Sequence, residues 1–283
     1  MIGVPSGFTN IDRITGGFKK GELTVIAGRP SHGKTALALQ IAKNASEMNY
    51  PTLIFSLEMS DDELASRYLS GVSGHSNIEL TTGKCDVDLL LKASEQLINL
   101  PIYIDVSPPG LSVLELRSKA RKMILKHDIK LVIVDYLQLM SGTGQNREQE
   151  IGSISRGLKA LAKDLNVPVI AVSQLNRLAE GRANKEPQLS DLRESGAIEQ
   201  DCDRAMLIYR PAYYKIDYIT IGRDEIRTDN LIVCNMAKNR NSVTGELILN
   251  HNDSLTNITD KSSSIEAGSS ANMEVQGSWA GLA

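Results

Sequence analysis

Cysteine, aromatic residues and long apolar runs are all scarce in this sequence of 283 residues, which has three cysteines and 4% aromatic residues. The cysteines are far apart and form no C-x-x-C pair, which argues against a disulfide framework or a zinc site. The sequence shows no signal peptide and no apolar run of about 18 residues, so we expect a cytoplasmic protein without a membrane partner. The net charge of -3 gives no global basic field. Any nucleic-acid site must therefore be local.

A phosphate-binding motif stands near the start of the chain, where Gly28 to Thr35 read GRPSHGKT and fit G-x-x-x-x-G-K-[ST]. Its glycines let successive backbone N–H groups face an anion, Lys34 adds a positive charge, and the Thr35 hydroxyl can ligate Mg²⁺. The motif follows an apolar, β-rich run and precedes good helix formers, which places the phosphates at a helix N-terminus. The residues predicted to bind the nucleotide are Gly28, Arg29, Pro30, Ser31, His32, Gly33, Lys34, Thr35 and Ala36.

Strand and helix patterns alternate from about residue 23 to 173, and further strand patterns then follow one another. This order predicts an α/β fold with a mostly parallel central sheet flanked by helices and an antiparallel extension at one edge. Residues 71–83 are predicted to form a polar loop, and residues 238–245 a turn. We expect one ATPase domain over residues 1–258 and a Ser/Gly-rich disordered tail over 259–283. The alternative for this tail is a short interaction segment that uses Trp279 and Leu282.

Polar residues end three of the other predicted strands, and they are suited to nucleotide hydrolysis. Asp135 closes a run of four apolar residues, the pattern of an acid that holds Mg²⁺. Glu58 is placed to orient or deprotonate an attacking water, and Gln174 to sense the outer phosphate. Each residue alone can be read as a strand-end side chain that meets solvent. Because ligands of open α/β sheets bind beyond the carboxyl ends of the strands, the set predicts an NTPase.

These residues and several longer motifs resemble the RecA-like motor domain of the DnaB-type replicative DNA helicases. The motifs that carry the resemblance are Gly7-Phe8-Thr9 with Thr15-Gly16-Gly17, Gly28 to Thr35, Ser56 to Met59, Val134 to Met140, Ser173 to Arg177, Ser190 to Asp201 and Lys238 to Asn241. They span about residues 3 to 251. The resemblance implies a RecA-like P-loop NTPase fold.

The resemblance also implies a hexameric ring that hydrolyses ATP with Mg²⁺ and moves along single-stranded DNA in its central channel. In that family pattern Glu58 is the catalytic glutamate, and Gln174 is the sensor of the γ-phosphate. Lys34, Thr35 and Asp135 hold phosphate and Mg²⁺. Primase and a helicase loader are the partners that it implies, in a bacterial or phage replisome.

The resemblance also implies a DNA-contacting loop and a pair of cations that acts between subunits, and two arginines of the preceding polar segment are further candidates. Lys238 and Arg240 match the positions from which this family reaches into the neighbouring subunit's ATP site. Without the family they read as a solvated hairpin turn. The predicted DNA contacts are Arg193, Glu194 and Gly196, which follow the phosphate backbone, with Arg177 and Arg182 as further phosphate contacts. A salt-bridged helix start explains Arg193 and Glu194 equally well, and a solvated loop explains Arg177 and Arg182.

The sequence departs from the family pattern at several places. His32 stands where methionine is usual, Cys202 where alanine is common, and Ser242 where glycine usually follows, so the hairpin after Arg240 can differ in shape. The family's N-terminal helical collar is expected to be absent, because the chain begins almost at the motor domain. An excised domain and a natural short relative both fit this start. Two other functions stay open: a RecA- or RadA-like DNA repair ATPase, and an assembly module with little activity alone.

Overall fold

A nine-stranded mixed sheet forms the centre of the fold. The structure is a computed structural model that describes residues 2–182, 184–221, 224–240 and 242–261. For residues 193–195 it describes the backbone without the side chains. The strands are β1 Leu23–Gly28, β2 Thr52–Ser56, β3 Ile102–Val106, β4 Leu131–Asp135, β5 Val169–Gln174, β6 Arg204–Tyr209, β7 Tyr218–Ile221, β8 Asp224–Arg227, β9 Leu231–Asn239, β10 Gly245–His251 and β11 Ile258–Asp260. The sheet order is β11-β10-β9-β6-β1-β5-β4-β2-β3, and β7 pairs with β8 as a separate hairpin. Most of the predicted tail, including Trp279 and Leu282, lies outside the described residues.

The helices lie on both faces of this sheet. They are α1 Thr9–Thr15, α2 Lys34–Glu47, α3 Asp61–Ser73, α4 Asn77–Thr82, α5 Val87–Ile98, α6 Val113–His127, α7 Arg147–Leu165 and α8 Gly196–Asp201. Short 3-10 helices cover Leu137–Leu139, Arg177–Gly181, Leu189–Ser195 and Pro211–Tyr214. One apolar core joins the sheet to α6, α7 and α8, and a second joins it to α1, α2 and α3. Strands β1, β2, β4 and β6 are buried along their whole length, as expected for strands covered on both faces.

The predicted sheet is confirmed, since β1 to β6 run parallel and β9, β10 and β11 extend the β6 edge in antiparallel order. The predicted loop over residues 71–83 is wrong. Helix α3 continues to Ser73, and α4 begins after Ser76, whose hydroxyl and the Glu79 carboxylate cap each other's backbone N–H groups. A second capping box therefore starts a short helix where the glycines indicate a break.

The chain's end differs from the prediction in two further places. Strand β9 continues through Lys238 and Asn239, which pair with Ala205 and Arg204 of β6, so the predicted turn begins too early. Strand β11 places Thr259 and Asp260 in the sheet, past the predicted domain boundary, because β10 offers a free edge with which they pair. None of the helices among the described residues combines the length and the apolar character needed to cross a membrane.

Candidate functional site

The predicted site residues of four strands lie together at the carboxyl ends of those strands. Strands β1, β5, β4 and β2 are neighbours in that order. In their register Gly28 lies opposite Gln174, and Asp135 lies opposite Ser56, two residues before Glu58. Because all four strands are parallel, their carboxyl ends open on the same side. The sheet order thus brings together segments that are far apart in sequence.

The loop after β1 has the backbone shape of an anion cradle. Ser31 and Gly33 both adopt left-handed conformations, with φ of 66° and 89°. Such turns direct successive N–H groups inward, and the loop ends at the N-terminus of α2, where the helix dipole favours a negative charge. The Lys34 ammonium donates a hydrogen bond to the Arg29 carbonyl oxygen at 3.0 Å, which closes the loop on itself.

A cleft of about 590 Å³ lies between this loop and the other strand ends. Its walls are formed by Pro30, Ser31, Gly33, Lys34, Thr35, Ala36, Glu58, Met59, Glu63, Arg67, Asp135, Tyr136, Gln174 and Leu255. Burial lowers the pKa of Lys34, and the nearby carboxylates of Asp135 and Glu58 oppose this shift. A bound polyphosphate would supply the negative charge that this poorly hydrated ammonium lacks.

Asp135 is a buried acid in the floor of this cleft. Burial raises its pKa to about 6, and hydrogen bonding by the Thr35 hydroxyl acts in the opposite direction. One of its carboxylate oxygens, Oδ1, is buried without a hydrogen-bond partner among the described residues. A buried, unsatisfied carboxylate oxygen beside a hydroxyl is a donor set that suits a hard divalent cation.

Glu58 and Gln174 have exposed side chains at opposite sides of the cleft, on either side of Asp135. The structure therefore brings together the predicted set of Lys34, Thr35, Glu58, Asp135 and Gln174.

The Arg29 and His32 side chains make contacts inside the protein. The Arg29 guanidinium binds Glu180 Oε1 at 2.7 Å and the Leu175 carbonyl oxygen at 2.8 Å. It therefore joins the phosphate-binding loop to the segment after β5. His32 is buried, and it lies against Tyr213 and Tyr214 with ring centroids 4.9 and 5.3 Å away.

The hydrogen bonds of His32 define its tautomer. Its Nδ1 accepts from the Arg210 N–H at 2.9 Å, so Nε2 carries the proton and donates to the Tyr214 hydroxyl at 3.1 Å. The Arg210 guanidinium in turn donates to His251 at 3.2 Å. This neutral imidazole fixes the chain around Pro211–Tyr214 to the phosphate-binding loop.

His32 is expected to make folding stability depend on pH. Burial, with the positive charges of Lys34 and Arg210, lowers its pKa from 6.5 to about 4. The unfolded chain therefore binds a proton there at a pH where the folded chain does not, and acidification through this window favours unfolding. Relative to His32→Met, we expect the wild-type free energy of unfolding to fall by up to about 3 kcal/mol between pH 7 and pH 4.

Urea unfolding of both proteins at several pH values measures this effect. The raised pKa of Asp135 changes stability with the opposite sign, because the folded chain holds that proton more tightly. The lowered pKa of His251 acts in the same direction as that of His32. Both groups are present in both proteins and cancel in the difference. A difference that stays constant from pH 7 to pH 4 would contradict a neutral buried His32.

Lys238 and Arg240 lie away from the cleft of their own subunit. The Lys238 ammonium donates to the Glu199 and Gln200 carbonyl oxygens at the end of α8. The Arg240 side chain is 56% exposed, and its guanidinium lies 3.5 Å from Asp203 Oδ1. Neither side chain lines the cleft formed by the described residues.

The predicted DNA contacts have different surroundings. Gly196 begins α8, and the space around its Cα is open. Arg177 is exposed at the start of its 3-10 helix, whereas Arg182 forms two hydrogen bonds with the buried Asp191, at 2.6 and 2.7 Å. The Arg182 guanidinium is thereby engaged within the chain, where it holds Leu189–Ser195 in place. The side chains of Arg193 and Glu194 lie outside the described part.

Five of the described residues in the cleft wall were not predicted as site residues, and two of them, Arg67 and Tyr136, bear on the acids of the cleft. Arg67 of α3 is half-buried and makes no ion pair within 4 Å among the described residues, and its positive charge weakly opposes the rise that burial causes in the pKa of Asp135. Tyr136 lies next to Asp135, and its pKa is raised by burial and by Glu58. Tyr136 could have been found from its place beside a predicted acid. Arg67 follows Glu58 by nine residues within an ordinary helical pattern, so its position in the cleft depends on how α3 packs.

Comparisons with known proteins agree on one family. The family model for the DnaB-like helicase C-terminal domain matches residues 3–260. The replicative DNA helicase DnaB of Geobacillus stearothermophilus is 44% identical over 256 residues, and the replicative DNA helicase DnaC of Bacillus subtilis is 42% identical over 256 residues. Each match covers 88% of this chain and 54% of the relative, so the chain spans about half the length of these curated relatives.

Two solved structures are similar to this chain in both fold and sequence. One of them, an isolated ATPase domain, has a TM-score of 0.84 and 36% identity, covering 92% of this chain and 91% of that domain. A DnaB-like replicative helicase, solved in a study of its interactions with primase, also has a TM-score of 0.84 and 36% identity, covering 92% of this chain and 62% of the other.

Proposed function

The chain belongs to the DnaB-like helicase C-terminal domain family, and from this premise we propose that it is the ATP-driven motor portion of a replicative DNA helicase. The observation that carries the proposal is the single cleft in which Glu58, Asp135 and Gln174 face the phosphate-binding loop. A nucleotide-binding module needs the loop alone. An acid for a cation, an exposed carboxylate and an exposed amide around it are the parts required for hydrolysis coupled to movement.

The side chains divide the chemistry of hydrolysis among them. The backbone of the loop and Lys34 bind the outer phosphates, and Arg67 adds a positive charge from the α3 side. Glu58 holds the attacking water and takes its proton, since its exposed carboxylate faces the cleft. Gln174 donates to the γ-phosphate, and loss of that phosphate is passed to the segment that follows β5.

The proposal includes Mg²⁺, held by Thr35 and Asp135. The unsatisfied Asp135 Oδ1 and the nearby Thr35 hydroxyl fit such a cation. Once bound there, Mg²⁺ neutralises charge on the phosphate oxygens. Removal of Mg²⁺ by a chelator is therefore expected to stop turnover.

The active site is proposed to be shared between subunits of a hexameric ring. Lys238 and Arg240 lie away from their own cleft, and an exposed guanidinium such as that of Arg240 suits a neighbour's phosphates. Single-stranded DNA would pass through the ring beside Leu189–Ser195 and Gly196, which follow the sensor strand. Primase and a loader are the further proposed partners, in a cytoplasmic replisome.

Single-stranded DNA is expected to stimulate ATP turnover by this chain, with activity that rises steeply with protein concentration because the site is shared. The measurements are ATP hydrolysis with and without an oligo-dT strand, and DNA affinity across a salt series, where each neutralised phosphate contributes a slope of about −0.7. Lys34→Ala should remove turnover and serves as the control. Turnover indifferent to DNA together with a salt slope near zero would contradict the proposal.

The same assays separate the two alternatives. Filaments on DNA without unwinding would favour a RecA- or RadA-like repair ATPase. Weak ATPase that never responds to DNA, at any concentration, would favour an assembly module. The DnaB family match supports the helicase over both.

A further inference from the structure

One side chain outside the cleft wall holds the backbone of the proposed sensor residue. Gln138 lies in the 3-10 helix Leu137–Leu139, three residues after Asp135. Its amide nitrogen donates to the Ser173 hydroxyl at 2.9 Å and to the Gln174 carbonyl oxygen at 3.1 Å. Its amide oxygen accepts from the Gln174 N–H at 3.2 Å. The side-chain amide of Gln138 thus pairs with both the N–H and the C=O of Gln174.

This amide continues the sheet where its backbone stops. The pairing between β4 and β5 ends at Val134 opposite Ala171, because the chain turns away after Asp135. On the other side of β5, Gln174 is opposite Gly28 of the phosphate-binding loop. Without the side chain of Gln138, the N–H and C=O of Gln174 that face β4 would have no strand partner. The Gln138 amide pairs these two groups at the exposed end of β5, where water would otherwise bind them.

Gln138 is itself fixed from the far side. The Arg147 guanidinium at the start of α7 donates to the main-chain carbonyl oxygen of Gln138, and it also forms an ion pair with the Glu150 carboxylate in the next turn. Ser173, which accepts a hydrogen bond from Gln138, is fully buried. The main chain of Gln138 and the hydroxyl that its side chain contacts are therefore both fixed, and the Gln174 side chain is exposed at the cleft.

We propose that Gln138 is a positioning residue for Gln174: it fixes the peptide of Gln174 so that its side chain meets the γ-phosphate in one orientation. This inference rests on the proposed function, in which Gln174 is the sensor. It also makes a short link of four residues from Asp135, which holds the cation, to the residue that reads the phosphate. Asp135 and Gln174 are thereby connected through the turn that contains Gln138.

The test uses Gln138→Leu and Gln138→Glu, each made in the wild type and in a Gln174→Ala background. We expect Gln138→Leu to lower kcat by roughly 10-fold to 100-fold, the effect of a misplaced catalytic group. In the Gln174→Ala background the same change should lower kcat no further, because there is no sensor left to position. Affinity for a non-hydrolysable ATP analogue should fall, and affinity for ADP should not.

Gln138→Glu keeps the shape and guards against a variant that fails to fold. The carboxylate still accepts from the Gln174 N–H, and the Ser173 hydroxyl can turn to donate to it, but it faces the Gln174 carbonyl oxygen without a proton to donate. Its deficit in kcat relative to wild type should shrink as the pH is lowered, because a protonated carboxyl donates again. A structural role alone would show no such recovery. Gln96→Leu and Gln96→Glu, on the exposed face of α5, are the matched controls.

Three results would overturn the inference. The first is additivity of the two changes, in which Gln138→Leu lowers kcat by the same factor in the wild type and in the Gln174→Ala background. The second is an equal loss of affinity for ADP and for the ATP analogue. The third is wild-type kcat in a folded Gln138→Leu protein. If Gln174→Ala itself keeps full activity and DNA response, the sensor role fails and this inference fails with it, whereas additive effects leave the proposed function standing.

Discussion

Replacing Glu58 with Gln is expected to lower ATP turnover by at least about 100-fold, the contribution typical of a positioned general base. The amide has the same shape as the carboxylate but cannot take a proton from water. Glu58 is exposed at the cleft and lies across from Lys34, so its removal leaves the phosphate-binding loop intact. Nucleotide affinity should therefore stay close to that of the wild type. Single-turnover hydrolysis and equilibrium binding of a fluorescent ATP analogue measure the two quantities.

Glu63→Gln is the matched control for this experiment. Glu63 also lines the cleft, but its carboxylate accepts from the Ser60 N–H at 2.9 Å and caps α3. A glutamine can keep that hydrogen bond, so turnover should change little while stability falls by at most about 1 kcal/mol. If Glu58→Gln hydrolyses ATP at the wild-type rate, or if Glu63→Gln is the inactive variant, the assignment of the base is wrong.

Replacing Arg240 with Ala is expected to lower turnover by about 10³-fold to 10⁵-fold, the contribution of an arginine supplied to a neighbouring site. The Arg240 side chain is exposed and bound only loosely to Asp203, so the change should cost little stability. Nucleotide binding to the isolated subunit should be unchanged, because Arg240 does not line its own cleft. ATP hydrolysis at a protein concentration that permits assembly, with thermal unfolding as the check on folding, tests both expectations.

Mixing two inactive variants distinguishes a shared site from a site within one subunit. A subunit with Arg240→Ala still carries Glu58, and a subunit with Glu58→Gln still carries Arg240. In a mixed ring, about one site in four combines the intact Glu58 of one subunit with the intact Arg240 of the next, and turnover returns. Lys215→Ala, a change of another surface cation, is the matched control for Arg240→Ala. A mixture that stays as inactive as its parts would contradict the shared site.

The core of the fold and the shape of the cleft could be predicted because their signals are local. The apolar run that ends in Asp135 reads as a buried strand with a polar end, and Glu58 and Gln174 end two similar runs. Once the sheet is parallel, its geometry places these ends together. The helix α4 was missed because its six residues stand between glycines, where the loop signal outweighs a capping box.

The remaining contacts could not be predicted, because no local pattern or spacing rule connects the residues that they join. Gln138 is paired with Gln174, 36 residues away, and no spacing rule connects an amide in a turn to a strand that follows a long helix. Arg182 reads as a free cation in a polar loop until the fold brings the buried Asp191 against it. Lys238 reads as part of a turn until β6 supplies a partner for its backbone.

The hydrogen bonds from Lys238 to the end of α8 have a consequence for how the subunits of a ring could coordinate ATP hydrolysis. The Lys238 ammonium binds the carboxyl end of α8, the helix that begins at Gly196, the last of the predicted DNA contacts. If the Lys238 ammonium binds the nucleotide of a neighbouring subunit, its hydrogen bonds to α8 of its own subunit must first break. The same ammonium cannot bind the end of α8 and a neighbouring nucleotide at the same time, so completing the next site would free the carboxyl end of α8 in its own subunit. In such a ring, hydrolysis at one site and release of α8 in the adjacent subunit would be alternating events, because both depend on the same positive charge.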